Sequence, residues 1–190
     1  YLSLQVITPI IFASQGPIAA GKIGMAITIF STLITVSLSW VSAKLPIFAK
    51  HIALKERKKL NELFFFSYVR TFIFMILSTA FLLLIIYLIQ DYDFFINDRI
   101  ASLSIFIYLA IGAIANTFVF SAAIYMRAHK EEPMMYLSIV CGLLTVVSIY
   151  FAAKESSLLV MQLYTLIILI VSLPWTIKLF LNYYRRPLAQ

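Results

Sequence analysis

Six stretches without a single Asp, Glu, Lys or Arg, each about one bilayer thick, dictate most of what this chain can be. They run over 1–21, 23–43, 71–90, 100–126, 133–153 and 156–177. An α-helix needs about 20 apolar residues to cross a hydrocarbon core of about 30 Å. In lipid only helices and closed barrels satisfy every backbone N–H and C=O. A barrel shows short alternating segments, not long apolar runs. The pattern predicts an all-α integral membrane protein with six transmembrane helices, over about 1–14, 23–43, 68–90, 100–125, 134–153 and 157–178, forming one domain across 1–190. The first is shortened because Gly16 and Pro17 should end it near Ser14. The next helix is expected to start at Gly21 or Lys22. The chain opens on Tyr1 without a charged leader or cleavage pattern, and it reads as a fragment of a longer protein.

Composition points the same way. Apolar residues make up 63% and charged residues 12%, against roughly 25% charged in a soluble domain. Soluble and disordered classes are excluded together. One cysteine, Cys141, excludes a disulfide framework and is expected to be a packing residue.

Charge in the connecting segments predicts orientation. Of 15 Lys and Arg, all but Lys22, Arg99 and Lys154 fall on one side of the six-span scheme. The positive-inside rule places that side, with both termini of this segment, in the cytoplasm. The net charge of +7 then reads as topology and contact with anionic membrane lipids, not as nucleic-acid binding. Between residues 50 and 64, Ile52, Leu60, Leu63 and Phe64 are expected to lie on the bilayer while the lysines face the headgroups. Tyr92, Phe94 and Phe95 on one side and Trp175, Tyr183 and Tyr184 on the other fit aromatic belts.

Chemistry-bearing motifs are few. Gly16, Gly21 and Lys22 have phosphate-loop spacing, but Ile23 stands where Ser or Thr would hold magnesium, so a turn explains them better. Asp91 and Asp93 have the spacing of a metal-holding acidic pair, but their predicted external side favours a solvated turn. His51 and His129 have no second ligand nearby in sequence. No catalytic, metal or cofactor site is expected. Polar residues inside the spans carry more information, because such groups usually face a cavity or another helix. Gln5 and Gln15 lie in or near the first span, Asn116 in the fourth and Gln162 in the sixth; Arg70 and Arg99 stand at the mouths of the third and fourth. For Asn116 and Gln162 an interhelical hydrogen bond competes with a cavity role. For Arg70 and Arg99 snorkelling to the headgroups competes. No Asp or Glu lies at the centre of a span, so no carboxylate-based ion-coupling site is visible.

Two regions resemble polysaccharide and O-antigen flippases of the multidrug/oligosaccharidyl-lipid/polysaccharide exporter superfamily. One is ITPIIFASQG at 7–16 with AGKIGM at 20–25, followed by WVSAKLP at 40–46, AKHIA at 49–53 and LNELF at 60–64. It is similar to the first helix of a lobe, its G-x-x-x-x-G turn and the basic linker after the second helix. The other is YMRAHKEEP at 125–133, similar to a Y-L-R-x-H-K-x-E-P segment, with Met126 in place of Leu. Together they cover less than half of the chain. The resemblance implies one lobe, the C-terminal one, of a two-lobed transporter of the bacterial inner membrane, or a half-size relative of one. Its implied work in lipopolysaccharide or polysaccharide biosynthesis is flipping a lipid-linked oligosaccharide by alternating access, without covalent catalysis. A second lobe or polysaccharide-assembly proteins would be partners. Under this reading Arg70 and Arg99 attract anionic groups, while Gln5, Asn116 and Gln162 hydrogen-bond sugar. Pro9 and Gly112 allow bending or close packing. Arg127, Lys130, Glu131 and Glu132 form a loop pair. A membrane-embedded enzyme is disfavoured by short external loops without His. A non-transporting structural partner remains the other alternative.

Overall fold

A glycine and a proline set the first break in the chain. Gly16 adopts φ 87°, ψ 178°, a conformation that costs glycine little. It ends α1 (Leu2–Gln15). Pro17 follows as the first residue of α2 (Pro17–Ser42), where a missing N–H is harmless and a fixed φ helps. The second helix therefore starts at Pro17, not at Gly21 or Lys22 as expected. The structure is a computed structural model and describes the backbone of 2–92 and 99–185, with the side chains of 2, 3 and 5 outside that description.

Six further helices follow. α3 (Leu45–Ala53) starts with Pro46 in its first turn. Lys55 turns the chain at φ 58° into α4 (Arg57–Asp91). Then come α5 (Leu103–Arg127), α6 (Met135–Ala152) and α7 (Ser157–Ile167). A five-residue π-helical segment, Ile168–Ser172, joins α7 to α8 (Leu173–Arg185). Pro174 accounts for it: proline cannot donate to the carbonyl four residues back and clashes with it. A wider π turn accommodates both defects.

Among the described residues five helical stretches are long and apolar enough to cross a membrane, which makes this an all-helical, multi-pass membrane protein. The first expected span forms the helix α1, which ends at Gln15. The third expected span is the far part of a longer rod. The 35 residues of α4 extend about 52 Å, so about 20 Å projects past the hydrocarbon.

α5 stands in the middle, packed on α2, α4, α7 and α8; α1 leans on α2 and α6, and α6 on α7. Small residues permit this. Ala110, Gly112, Ala113, Ala115, Thr117, Ser121, Ala122 and Ala123 of α5 are all buried, and small side chains let membrane helices approach closely. At Gly112 a Cβ would lie 3.5 Å from the Tyr164 ring of α7, at ordinary van der Waals distance, so a side chain no larger than a methyl group fits there. By contrast α4 turns Phe65, Phe66, Ile73, Leu77 and Phe81 outward, all more than half exposed.

The apolar interior divides in two. One cluster fills the spans around Ile23, Phe30, Phe106 and Met161. The other lies at the end where α2 finishes and α4 begins, around Phe48, Leu60, Phe64 and Tyr125. The second cluster corrects the expected interfacial segment. Leu60 is fully buried and Phe64 nearly so, and Ile52 and Leu63 pack against the same cluster. Leu60, Leu63 and Phe64 face protein because α4 begins at Arg57 and carries them on its inner face, and Ile52 joins them from α3.

Candidate functional site

Two amide–phenol hydrogen bonds cross the seam between α5 and α7. Asn116 Nδ2 donates to Tyr164 Oη at 3.0 Å. About two turns away, Gln162 Nε2 donates to Tyr108 Oη at 3.1 Å. Thr165 Oγ1 donates to the Tyr108 carbonyl at 2.9 Å. The rungs alternate in direction, an α5 amide to an α7 phenol and an α7 amide to an α5 phenol. Asn116 and Tyr164 also border a void of about 10 Å³ beside Phe30 and Leu109. That is close to the least space that one water needs, and far too little for a sugar.

The structure thus brings Asn116 and Gln162 into one seam and leaves the arginines elsewhere. Arg70 is exposed on α4, its guanidinium 4.0 Å from the Phe66 ring centroid, a cation–π contact. Residues 68 and 72 of α4 point the opposite way, about 200° around the helix. Arg99 is exposed in a short turn before α5, near the far end of the bundle. Gln5 belongs to α1, but its side chain lies outside the described residues. So do Asp93, Phe94 and Phe95, and with them the acidic pair and part of one aromatic belt.

Two glutamines act as ties. Gln15 Nε2 donates to the Ala153 carbonyl at 2.7 Å, and its Oε1 accepts from Ser157 Oγ. This pins the end of α1 to the α6–α7 turn. Gln90 Nε2 donates to the Ala101 carbonyl at 3.0 Å, and its Oε1 accepts from the Leu103 N–H at 3.2 Å. The sequence reading missed Gln90. Its signal was a lone amide at the end of an apolar run, the place where loop backbone groups need partners.

The basic end is the most interconnected region. The Phe64 ring lies 4.7 Å from that of Tyr125 and 5.5 Å from that of Phe180, centroid to centroid. Tyr125 Oη donates to Asn61 Oδ1 at 2.8 Å, and His129 Nδ1 donates to the Tyr125 carbonyl at 3.2 Å. Tyr183 Oη meets Glu131, and Arg57 reaches the Tyr184 carbonyl. Arg127 and Glu132 pair at 3.4 Å. His51 Nδ1 is 2.8 Å from Glu56 Oε2, and Lys59 Nζ is 2.7 Å from Glu56 Oε1. The hydrogen bonds from Lys59 and then His51 hold the Glu56 carboxyl below its usual range.

Among the described residues no three His, Cys, Asp or Glu side chains gather. The segment at 16–21 follows a helix and enters α2 directly at Pro17, not the strand-to-helix loop that a phosphate loop requires. No family model matches the chain, and neither a curated protein nor a solved structure matches it.

Proposed function

We propose that this chain is one lobe of a flippase-like exporter of the multidrug/oligosaccharidyl-lipid/polysaccharide superfamily. Paired with a second lobe, in a longer chain or on a partner, it moves a lipid-linked oligosaccharide to the outer leaflet of the bacterial inner membrane by alternating access. No covalent step is involved. The observation that carries the reading is the broken opening of the bundle. An apolar α1, the Gly16 turn and a long α2 fall where the resemblance is concentrated. The basic end then faces the cytoplasm by the positive-inside rule. With a void of about 10 Å³ inside the bundle, the sugar path runs along the surface that meets the second lobe. Exposed Arg70 and Arg99 attract anionic groups there; Asn116 and Gln162 join only by leaving their tyrosines.

Complementation tests this. The longest product of the parent gene and residues 1–190 alone are expressed in a flippase-null strain, and surface polysaccharide is measured. The expected result is export with the long product, none with 1–190, and reduced export with Arg70→Ala. Failure of every version to restore export overturns the transporter reading. A non-transporting membrane partner is the second reading. It is favoured by the amides of Asn116, Gln162, Gln15 and Gln90, all spent on internal bonds. It predicts co-purification with a polysaccharide-assembly complex whatever the fate of export.

A further inference from the structure

The uncharged runs of α2 and α4 stop at one height. The run 23–43 rises about 31 Å and the run 71–90 about 30 Å, each matching a hydrocarbon core of about 30 Å. Towards the basic end the first charge past the one is Lys44, and past the other Arg70. The two helices are antiparallel, and their contacts fix the level. Ser37 Oγ donates to Met75 Sδ at 3.4 Å. The Trp40 and Phe74 rings lie 5.0 Å apart, centroid to centroid. One turn further along each helix sets Lys44 opposite Arg70, and the backbone keeps near-helical angles through Ala43 and Lys44. Lys44 shares the α4-facing side of Ser37, about 20° round, and Arg70 lies about 40° round from Phe74.

Helical side chains lean towards their own N-terminus, and α4 begins at the basic end. Arg70 follows the rule: its guanidinium lies 4.0 Å from the ring centroid of Phe66, one turn nearer that end. The charge thus leaves the hydrocarbon and stands at the depth of headgroup phosphates. Trp40 lies one turn inside the edge, 38% exposed, at the level where tryptophan is enriched. α5 closes the opposite side of the α2–α4 seam; this side, with Trp40, Phe66 and Arg70 exposed, is open. Among the described residues neither Lys44 nor Arg70 has an ion-pair partner, whereas Lys59 is held by Glu56 and Arg127 by Glu132. Glu62 of α4 lies about 12 Å further into the basic end and about 80° round from Arg70. A guanidinium presents a donor fork that suits phosphate. An acidic soluble protein would have to enter the headgroup layer to reach it; a lipid phosphate is already there.

We propose that Arg70 and Lys44 together bind the phosphate of an anionic phospholipid, in the leaflet on the basic side, at the open flank of the α2–α4 seam. The site rests on depth in a bilayer, needs no second lobe, and is read without any measurement of export. The test uses the 190-residue chain with Trp175→Phe, which leaves Trp40 as its one tryptophan. Phosphatidylcholine vesicles carry increasing fractions of phosphatidylglycerol or phosphatidylcholine brominated on the acyl chains. Half-quenching of Trp40 is expected at a lower fraction of brominated phosphatidylglycerol, by about five-fold for each of the two interfacial cations. Arg70→Gln and Lys44→Gln should each remove one such factor, and the double variant should leave no preference. Lys50→Gln with Lys58→Gln, which removes two exposed cations of the same end, should leave it intact. A Leu143→Trp reporter on the outer face of α6, in a W40F/W175F background, should show none. Equal quenching of Trp40 by both lipids overturns the site. So does a preference that falls as far in the Lys50 and Lys58 variant as in the Arg70 and Lys44 variant, which assigns it to diffuse surface charge. Shielding of Trp40 from both lipids in a protein that runs as a dimer overturns it in favour of a second copy.

Discussion

Along the spans α5 meets its neighbours with Ala110, Gly112, Ala113 and Thr117, and the contacts are close but individually small. At the basic end the same helix meets Phe48, Phe64 and Phe180 with Tyr125 and Met126. Lipid is as apolar as a leucine side chain, so burying more leucine between spans gains little; close backbone approach and a few hydrogen bonds hold helices together instead. Past the hydrocarbon, water returns and burying rings is again favourable. One helix thus obeys two sets of rules along its length, and the change comes between Ala123 and Tyr125.

The largest test of this contrast is Tyr125→Ala. It removes a ring that is 1% exposed and leaves Asn61 without its donor. A loss of 3–5 kcal/mol is expected, seen as a lower melting temperature in detergent with early proteolysis at the α3–α4 turn. An effect no larger than that of Leu77→Ala on the exposed face of α4 would dissolve the comparison. Next is overfilling rather than deletion. A Cβ at Gly24 would already sit 3.3 Å from Thr8 Cγ2, so Gly24→Leu should wedge α1 from α2 at a cost of about 1–3 kcal/mol. Crosslinking yield between cysteines placed on those helices would report the separation, and an unchanged yield would show that the seam tolerates bulk.

Smaller still is the seam bond. A double-mutant cycle of Asn116→Leu and Tyr164→Phe should give a coupling of about 0.6 kcal/mol by thermal unfolding. A coupling above about 2 kcal/mol would mean that the spans rely on polar ties as heavily as the basic end relies on rings. The smallest effect is pH-dependent. The folded Glu56 carboxyl titrates below its ordinary value because of Lys59 and His51. Its support for the α3–α4 turn is therefore complete above the ordinary carboxylate pKa and fades as pH falls through the lowered one. The hydrogen-exchange protection factors of the Leu54–Arg57 amides should fall on acidification, and Glu56→Gln should flatten that response. An identical profile in Glu56→Gln would assign the pH response to another group.

The helices were legible because hydrocarbon demands long uncharged runs, and those runs fix their own ends: Gly16–Pro17, Asp91 and Arg127 all punctuate where charge or backbone geometry requires it. The start of α4 was not legible. Lys55, Glu56 and the basic run after Arg57 look like a linker, and only the register of Leu60, Phe64 and Tyr68 against α5 shows a continuous helix. Asn116 and Gln162 stood out as polar residues, but sequence did not reveal that Tyr164 and Tyr108 are their partners, because pairing depends on how α5 and α7 are rotated. Arg70 and Asn116 looked like members of one site for the same reason; the facing of α4 separates them.

The uninterrupted length of α4 has a mechanical consequence. A rod of about 52 Å, anchored over its outer part by hydrocarbon and over its inner part by aromatic rings, has no joint at the membrane surface. Whatever tilts it in a thicker or thinner bilayer swings its inner end as a lever arm, and Phe64 and Asn61 carry that displacement straight into Tyr125. Spin labels at Lys59 and Lys130 in bilayers of graded thickness would record the swing as one rigid displacement of the two labels.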